Sequence, residues 1–165
     1  NQFGLTGAFF QALAHALLVL AMFYLAGALK ERTGTSGMGA MGGLKVRTPR
    51  LAVLFMLVVM NAIALPLTQS FVGEWLMFNG LWEVDRMLAF LGVITVVLGA
   101  IYMLYAYQRI MLGPDKWRME MHDAGLRDHL VLVPLIAITL VLGVFPGPVL
   151  DLLDGPAQTL LSLFP

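Results

Sequence analysis

Apolar residues fall in four long runs along the chain, each closed by a short polar stretch. The first runs from Leu5 to Leu29 and ends at Lys30-Glu31-Arg32. Twenty-odd helical residues at about 1.5 Å each cover a hydrocarbon core about 30 Å thick, so this run predicts a transmembrane helix. Within it Gln11 and His15 lie one turn apart on one helical face. The second run, Leu51 to Trp82, is long for one straight crossing and is interrupted at Leu65-Pro66-Leu67-Thr68-Gln69-Ser70. Proline removes a backbone donor and collides with the preceding turn. The pattern predicts two half-helices, Leu51–Leu65 and Phe71–Trp82, with a break near Pro66–Ser70. Non-helical backbone at membrane depth requires protein or a water-filled cavity to satisfy it. The third run, Met87 to Leu112, carries Tyr102, Tyr105 and Tyr107 towards its end, as an aromatic belt would. The fourth, Leu130 to Leu153, is interrupted at Pro146-Gly147-Pro148. The prediction is an all-α, polytopic transmembrane helix bundle. It forms one domain over residues 1–165, with spans at about 5–29, 51–82, 87–112 and 130–153.

The connections are polar. Thr33 to Gly43 is glycine-rich but lacks the Gly-Lys-Ser/Thr ending and preceding strand of a phosphate cradle, so it reads as a flexible connector. Gly113 to Asp128 is a second polar loop, with room for a short surface helix. Of the ten Lys and Arg residues, Lys30, Arg32, Lys45, Arg47 and Arg50 follow the first span. Arg109, Lys116, Arg118 and Arg127 follow the third, which leaves only Arg86 opposite. Four spans put both basic loops on one side, cytoplasmic or matrix, with both termini outside.

Composition agrees. Hydrophobic residues make up 59% and charged residues 12%, against about 45–50% and about 25% in soluble domains. Mean hydropathy is +0.85. There is no cysteine, so this chain supplies no disulfide, zinc ribbon or iron–sulfur ligand. The zero net charge gives no basic field for nucleic acid. The opening Asn1-Gln2-Phe3-Gly4 lacks an initiator Met and a positive n-region, which predicts an excerpt of a longer chain or one piece of a split or processed one.

Chemistry concentrates on Glu74, just past the break. An ionisable group at bilayer depth is a functional-site hypothesis by default. Burial penalises its charged form, which brings proton uptake within reach of neutral pH, as a proton relay requires. The alternative is a protonated carboxyl merely hydrogen bonded to a neighbouring helix. His15, near the middle of the first span, can pass a proton between its ring nitrogens, or it can simply join two helices. His122 and His129 flank Asp123 and Asp128, but their spacing fits no standard metal-ligand pattern. The eleven methionines are scattered through apolar runs and read as packing.

Several stretches resemble one family. Gly7-Ala8-Phe9-Phe10-Gln11-Ala12-Leu13-Ala14-His15 resembles the opening of a helix in the antiporter-like subunits of respiratory complex I. Gly27 to Thr35, followed by Gly42-Gly43-Leu44, is similar to that family's next loop. The most specific stretch is Leu65-Pro66-Leu67-Thr68-Gln69-Ser70-Phe71-Val72-Gly73-Glu74-Trp75. It resembles a motif of the subunit M family of proton-pumping NADH:quinone oxidoreductase, the counterpart of mitochondrial chain 4. Tyr107-Gln108-Arg109 and Gly143 to Pro148 continue the likeness in order.

The resemblance implies a larger architecture of about fourteen helices with two inverted five-helix repeats, of which this chain would be the last four. It implies that Glu74 is the protonatable group of an outer half-channel, at a position usually Lys in subunits L and N. His15 matches the family's histidine and would connect Glu74 towards the centre of the membrane. Both residues would therefore act in proton transfer within a translocase. The implied partners are the missing N-terminal part of the same subunit, neighbouring antiporter-like subunits and the bilayer of a bacterial inner membrane. NADH, FMN, iron–sulfur clusters and quinone would be held by other subunits, with no redox chemistry in this chain. Gly34-Thr35-Ser36-Gly37 departs from the family's usual charged loop. A competing reading is a subunit of a multisubunit cation/proton antiporter or a membrane-bound hydrogenase. Another is a segment that only anchors its neighbours.

Overall fold

A computed structural model describes residues 1–117 and 120–163, and Arg118 of the second basic loop lies outside the described residues. Its elements are α1 (Gln2–Thr33), α2 (Leu44–Arg47), α3 (Pro49–Ala62), α4 (Gln69–Val84), α5 (Arg86–Tyr107) running on into a π-helical segment (Gln108–Leu112), α6 (Leu126–Val144) and α7 (Gly147–Ser162). The chain is an all-helical, multi-pass membrane bundle. Among the described residues three helical stretches are long and apolar enough to cross a bilayer: Gln2–Thr33, Arg86–Leu112 and Leu126–Val144.

Helix ends explain where these elements depart from the apolar runs. α1 continues through Lys30-Glu31-Arg32 and stops at Gly34, whose φ of 69° lets its N–H reach the Lys30 carbonyl. At its start the Asn1 side chain accepts from the Gly4 N–H. The second run divides, as its proline implies, but the gap covers residues 63–68, so Gln69 and Ser70 open α4 instead of belonging to the break. α3, with 14 residues, is about 21 Å long and reaches only part of the way across.

The fourth run differs more. Its helix starts at Leu126, where Asp128 accepts from the Gly125 N–H, and ends at Val144. α7 is then a separate helix whose Asp154 accepts from Thr6 near the start of α1. Pro146 and Pro148 cannot donate to the preceding turn, so the α6 ladder stops at the Phe145 N–H.

The loop between α1 and α2 stays exposed from Ser36 to Ala40 and is packed only where it approaches α2. Met41 and Leu44 are buried, and Gly42 and Gly43 lie against the backbone of Pro114 and Asp115. Gly43, at φ 67°, needs the left-handed conformation there. Among the described residues from Gly113 to Gly125 of the second loop no helix occurs, and α6 takes up the rest from Leu126. The two loops close on each other: Arg47 pairs with Asp115 at 3.0 Å, Lys116 donates to the Gly39 carbonyl, and Arg32 donates to the His122 carbonyl. Both predicted basic loops thus lie at one end of the bundle.

The core follows this end. Leu25, Leu29, Leu44, Leu51, Phe55, Val59, Met103, Met111 and Leu132 bury one apolar cluster. Tyr107 belongs to it, contrary to the aromatic-belt expectation. Its ring packs edge-on against Phe55 and its hydroxyl donates to the Ala52 carbonyl. A buried phenol needs an acceptor, and the α3 backbone supplies one. Tyr102 and Tyr105 stay exposed.

Candidate functional site at the helix break

The break is built by local sequence. Pro66 has no N–H, and a residue before proline avoids helical angles. The Leu65 N–H still reaches back to the Met60 carbonyl, and Thr68 donates to Leu65 through both its N–H and its hydroxyl. Ala64 and Leu67 take φ of 50° and 78°, a left-handed conformation that costs a non-glycine residue about 1–3 kcal/mol. Packing must hold them there. Gly143 of α6 does so at Leu67, by lying directly on the Leu67 carbonyl and Thr68, where any Cβ would overlap.

A polar seam joins the two half-helices. Asn61, 3% exposed on the last turn of α3, accepts from the Ser70 hydroxyl at 3.0 Å and from the Ser70 N–H at 3.5 Å. One side chain therefore pins the end of α3 to the first turn of α4. Gln69, 0% exposed, donates to the Ala14 carbonyl of α1 at 3.1 Å. The Oε1 atoms of Gln11 and Gln69 are both buried and accept from no described residue. Buried amide oxygens favour donors, so this seam is suited to water or a polar side chain.

Glycines set the register between α1 and α4. Gly4 meets Gly80, Gly7 meets Leu76 and Met77, and Gln11 meets Gly73. The order places the helices antiparallel, with Gln69 level with Ala14. Small residues let the backbones approach closely where lipid gives no hydrophobic drive to associate.

This register locates the two predicted site residues. Glu74 is half-buried, one turn beyond Ser70 and next to Gly73. Phe78, one turn further, packs on Gly92 of α5. Glu74 therefore lies between contacts to α3 and α5, about 7–8 Å further along α4 than the break. It takes part in none of the three ion pairs of the described residues, all at the loop end. His15 is exposed. It sits level with the start of α4, so that helix does not cover it, whereas Gln11, one turn earlier, faces Gly73. The two residues share a helical face in sequence but not an environment. No hydrogen bond links His15 to Glu74 among the described residues. His129 Nδ1 lies 2.7 Å from the Gly125 carbonyl, and no three His, Asp or Glu side chains converge as a metal site among the described residues.

Charges at the loop end serve structure. Asp128 accepts from Arg32 at 2.7 Å and from Tyr24 at 3.0 Å, which ties α1 to α6. Asp123 accepts from the Arg50 and Leu51 N–H groups at the start of α3. Burial pushes the Asp123 carboxyl up. The N–H groups of Arg50, Leu51 and Ala124, with the Arg50 charge, outweigh that and hold it below the usual carboxylate range.

Comparison with known proteins places this geometry. Residues 1–100 match the family described as NADH:quinone oxidoreductase/Mrp antiporter, transmembrane. NADH-quinone oxidoreductase subunit M of Rhodobacter capsulatus is 37% identical over 159 residues, 95% of this chain and 31% of that protein. The Mycobacterium tuberculosis H37Rv subunit M is 36% identical over 160 residues, 96% of this chain and 29% of that protein. The chain thus spans about a third of the length of the curated relatives it matches. In respiratory complex I from Thermus thermophilus, one chain superposes with a TM-score of 0.91 at 28% identity, covering 99% of this chain and 35% of that one. The Mrp complex from Dietzia shares the fold at a TM-score of 0.76 and 23% identity, covering 95% of this chain and 38% of that one. With a glutamate beside a broken helix and a family match over more than half its length, the chain belongs to the NADH:quinone oxidoreductase/Mrp antiporter transmembrane family.

Proposed function

We propose that this chain is part of the proton-translocating membrane subunit of an NADH:quinone oxidoreductase, and that Glu74 is its proton-exchanging group on the side away from the basic loops. The observation that carries this is the placement of Glu74. It is half-buried beyond a strained helix break and belongs to no ion pair of the described residues. A carboxyl so placed can be neutral when loaded and charged when it has released its proton to the outer side.

The polar seam of Gln11, Gln69, Asn61 and Ser70 lies between the level of His15 and that of Glu74. Donors in that seam would connect the two residues, which do not touch. His15, on a face of α1 that α4 leaves open, would exchange with a group supplied from beyond this chain. The partners would be the remainder of the same subunit and adjacent antiporter-like subunits. NADH, FMN, iron–sulfur clusters and quinone would bind elsewhere. The membrane would be a bacterial inner membrane, with the basic loops cytoplasmic and the termini outside.

The oxidoreductase reading is favoured over a cation/proton antiporter because the subunit M relatives stand at 31–37% identity and the Mrp likeness at 23%. The test is a hydrophobic carbodiimide, which modifies protonated carboxyls in apolar surroundings. It should label Glu74 in the intact complex, and faster at lower pH. Equal labelling across neutral pH, or labelling only after unfolding, overturns the assignment.

A further inference from the structure

The end of α5 carries a feature that proton exchange does not use. From Arg86 to Leu112 the helix and its π-helical extension run for 27 residues, about 40 Å. That exceeds the hydrocarbon core of about 30 Å, so the last turns reach the headgroup layer on the basic-loop side. There the backbone widens into the five-residue π-helical segment Gln108–Leu112, a form common at functional sites.

A cavity of about 430 Å³ opens beside this segment. Tyr105, Arg109 and Leu112 line it from the helix, Met41 from the glycine-rich loop and Lys116 from the second loop. Among the described residues its lining includes two cations and no carboxylate. The nearest acid in sequence, Asp115, is engaged by Arg47 at 3.0 Å and by the Trp117 N–H. Arg109 joins no ion pair among the described residues, and Lys116 donates only to the Gly39 carbonyl, which leaves its charge uncompensated. The loops are held in place by close contact of Gly42 and Gly43 with Pro114 and Asp115, so the cavity is part of the packed structure. Its outer rim is apolar and aromatic: Tyr105 and Leu112 are each about half exposed.

We propose that this cavity binds the headgroup of an anionic phospholipid, with Arg109 and Lys116 on the phosphate and Tyr105 and Leu112 against the glycerol and upper acyl chains. Two cations without a carboxylate fit a phosphodiester, the π-helical segment sits at headgroup depth, and the exposed apolar rim faces the acyl region. Guanidinium supplies paired donors to phosphate oxygens, and the lysine adds a point charge.

The test uses the intact complex in nanodiscs containing a photoactivatable phosphatidylglycerol or phosphatidylcholine, with crosslinks mapped by mass spectrometry. Phosphatidylglycerol should label residues 105–116 at least fivefold more than phosphatidylcholine. Arg109→Gln with Lys116→Gln should abolish that preference while the complex still assembles. Equal labelling by the two lipids overturns the proposal, as does an unchanged preference in the double variant. Loss of labelling on adding inorganic phosphate alone also overturns it, because the site would then serve free phosphate. Absence of labelling there, with another subunit crosslinked over the cavity, overturns it as well. If the double variant fails to assemble, Arg109→Lys decides: it keeps the charge and must retain the preference.

Discussion

Replacing Asn61 with alanine tests how the break is held. Its Oδ1 is the acceptor for both the hydroxyl and the N–H of Ser70, at 3.0 and 3.5 Å, in a site where Asn61 and Ser70 are only 3% and 2% exposed. Removing it leaves the Ser70 N–H, in the first turn of α4, without its side-chain acceptor; the hydroxyl can rotate towards another. A buried donor left unpaired costs about 1–3 kcal/mol. Polar contacts inside membrane proteins average nearer 0.6 kcal/mol, because the disrupted state finds other partners. A loss of about 1–2 kcal/mol in local stability follows, or roughly 5–30-fold more opening. Hydrogen exchange by mass spectrometry on the intact complex should show peptides over residues 66–75 exchanging faster by that factor. Ser70→Ala keeps the backbone bond to Asn61 and should give the smaller effect. Unchanged exchange in Asn61→Ala, or an equal effect of the two substitutions, would refute the pinning role.

Three further outcomes are expected. Gly143→Val places side-chain atoms where the Leu67 carbonyl lies, so on the proposed function proton pumping by the intact complex should fall while membrane insertion persists; retained pumping contradicts the close contact. Arg32→Met strands Asp128 in a pair whose side chains are 13% and 9% exposed. It should destabilise the bundle by about 3 kcal/mol, and Arg32→Met with Asp128→Leu should recover only part of that in thermal unfolding of the purified complex, because the Tyr24 hydroxyl and the Gly125 N–H then lose their acceptor. Asp123 has its carboxyl held below the ordinary range, so the stability it adds is full above about pH 4 and is lost as pH falls through its lowered folded value. Asp123→Asn should therefore be less stable than the native chain at pH 7, with the gap closing under acid; a gap that stays constant with pH removes this account.

The sequence made the break legible because a proline inside an apolar run admits few explanations, and Glu74 stood out as a charge beside it. The boundaries were less legible. Gln69 and Ser70 look like loop residues by type, yet Asn61 and the Ala14 carbonyl draw them into α4. Tyr107 sits in line with two exposed tyrosines, and only its contacts with Phe55 and Ala52 place it in the core. The α1–α4 interface had a signal in its glycines, which fall where the helices approach closely: Gly4 against Gly80, Gly7 against Leu76 and Met77, and Gly73 against Gln11. The separation of His15 from Glu74 had none. It depends on where α4 begins relative to α1, which is set by packing across the bundle.

The most direct test of the central claim is the proton-to-electron ratio of the intact complex in sealed vesicles with Glu74→Gln. Glutamine keeps the shape and a hydrogen-bonding head but cannot load or release a proton. The account predicts a lower ratio, or turnover slowed to the rate of an impaired pump, with Glu74→Asp retaining part of the native value. A ratio and turnover equal to the native complex would contradict it and leave Glu74 a structural carboxyl.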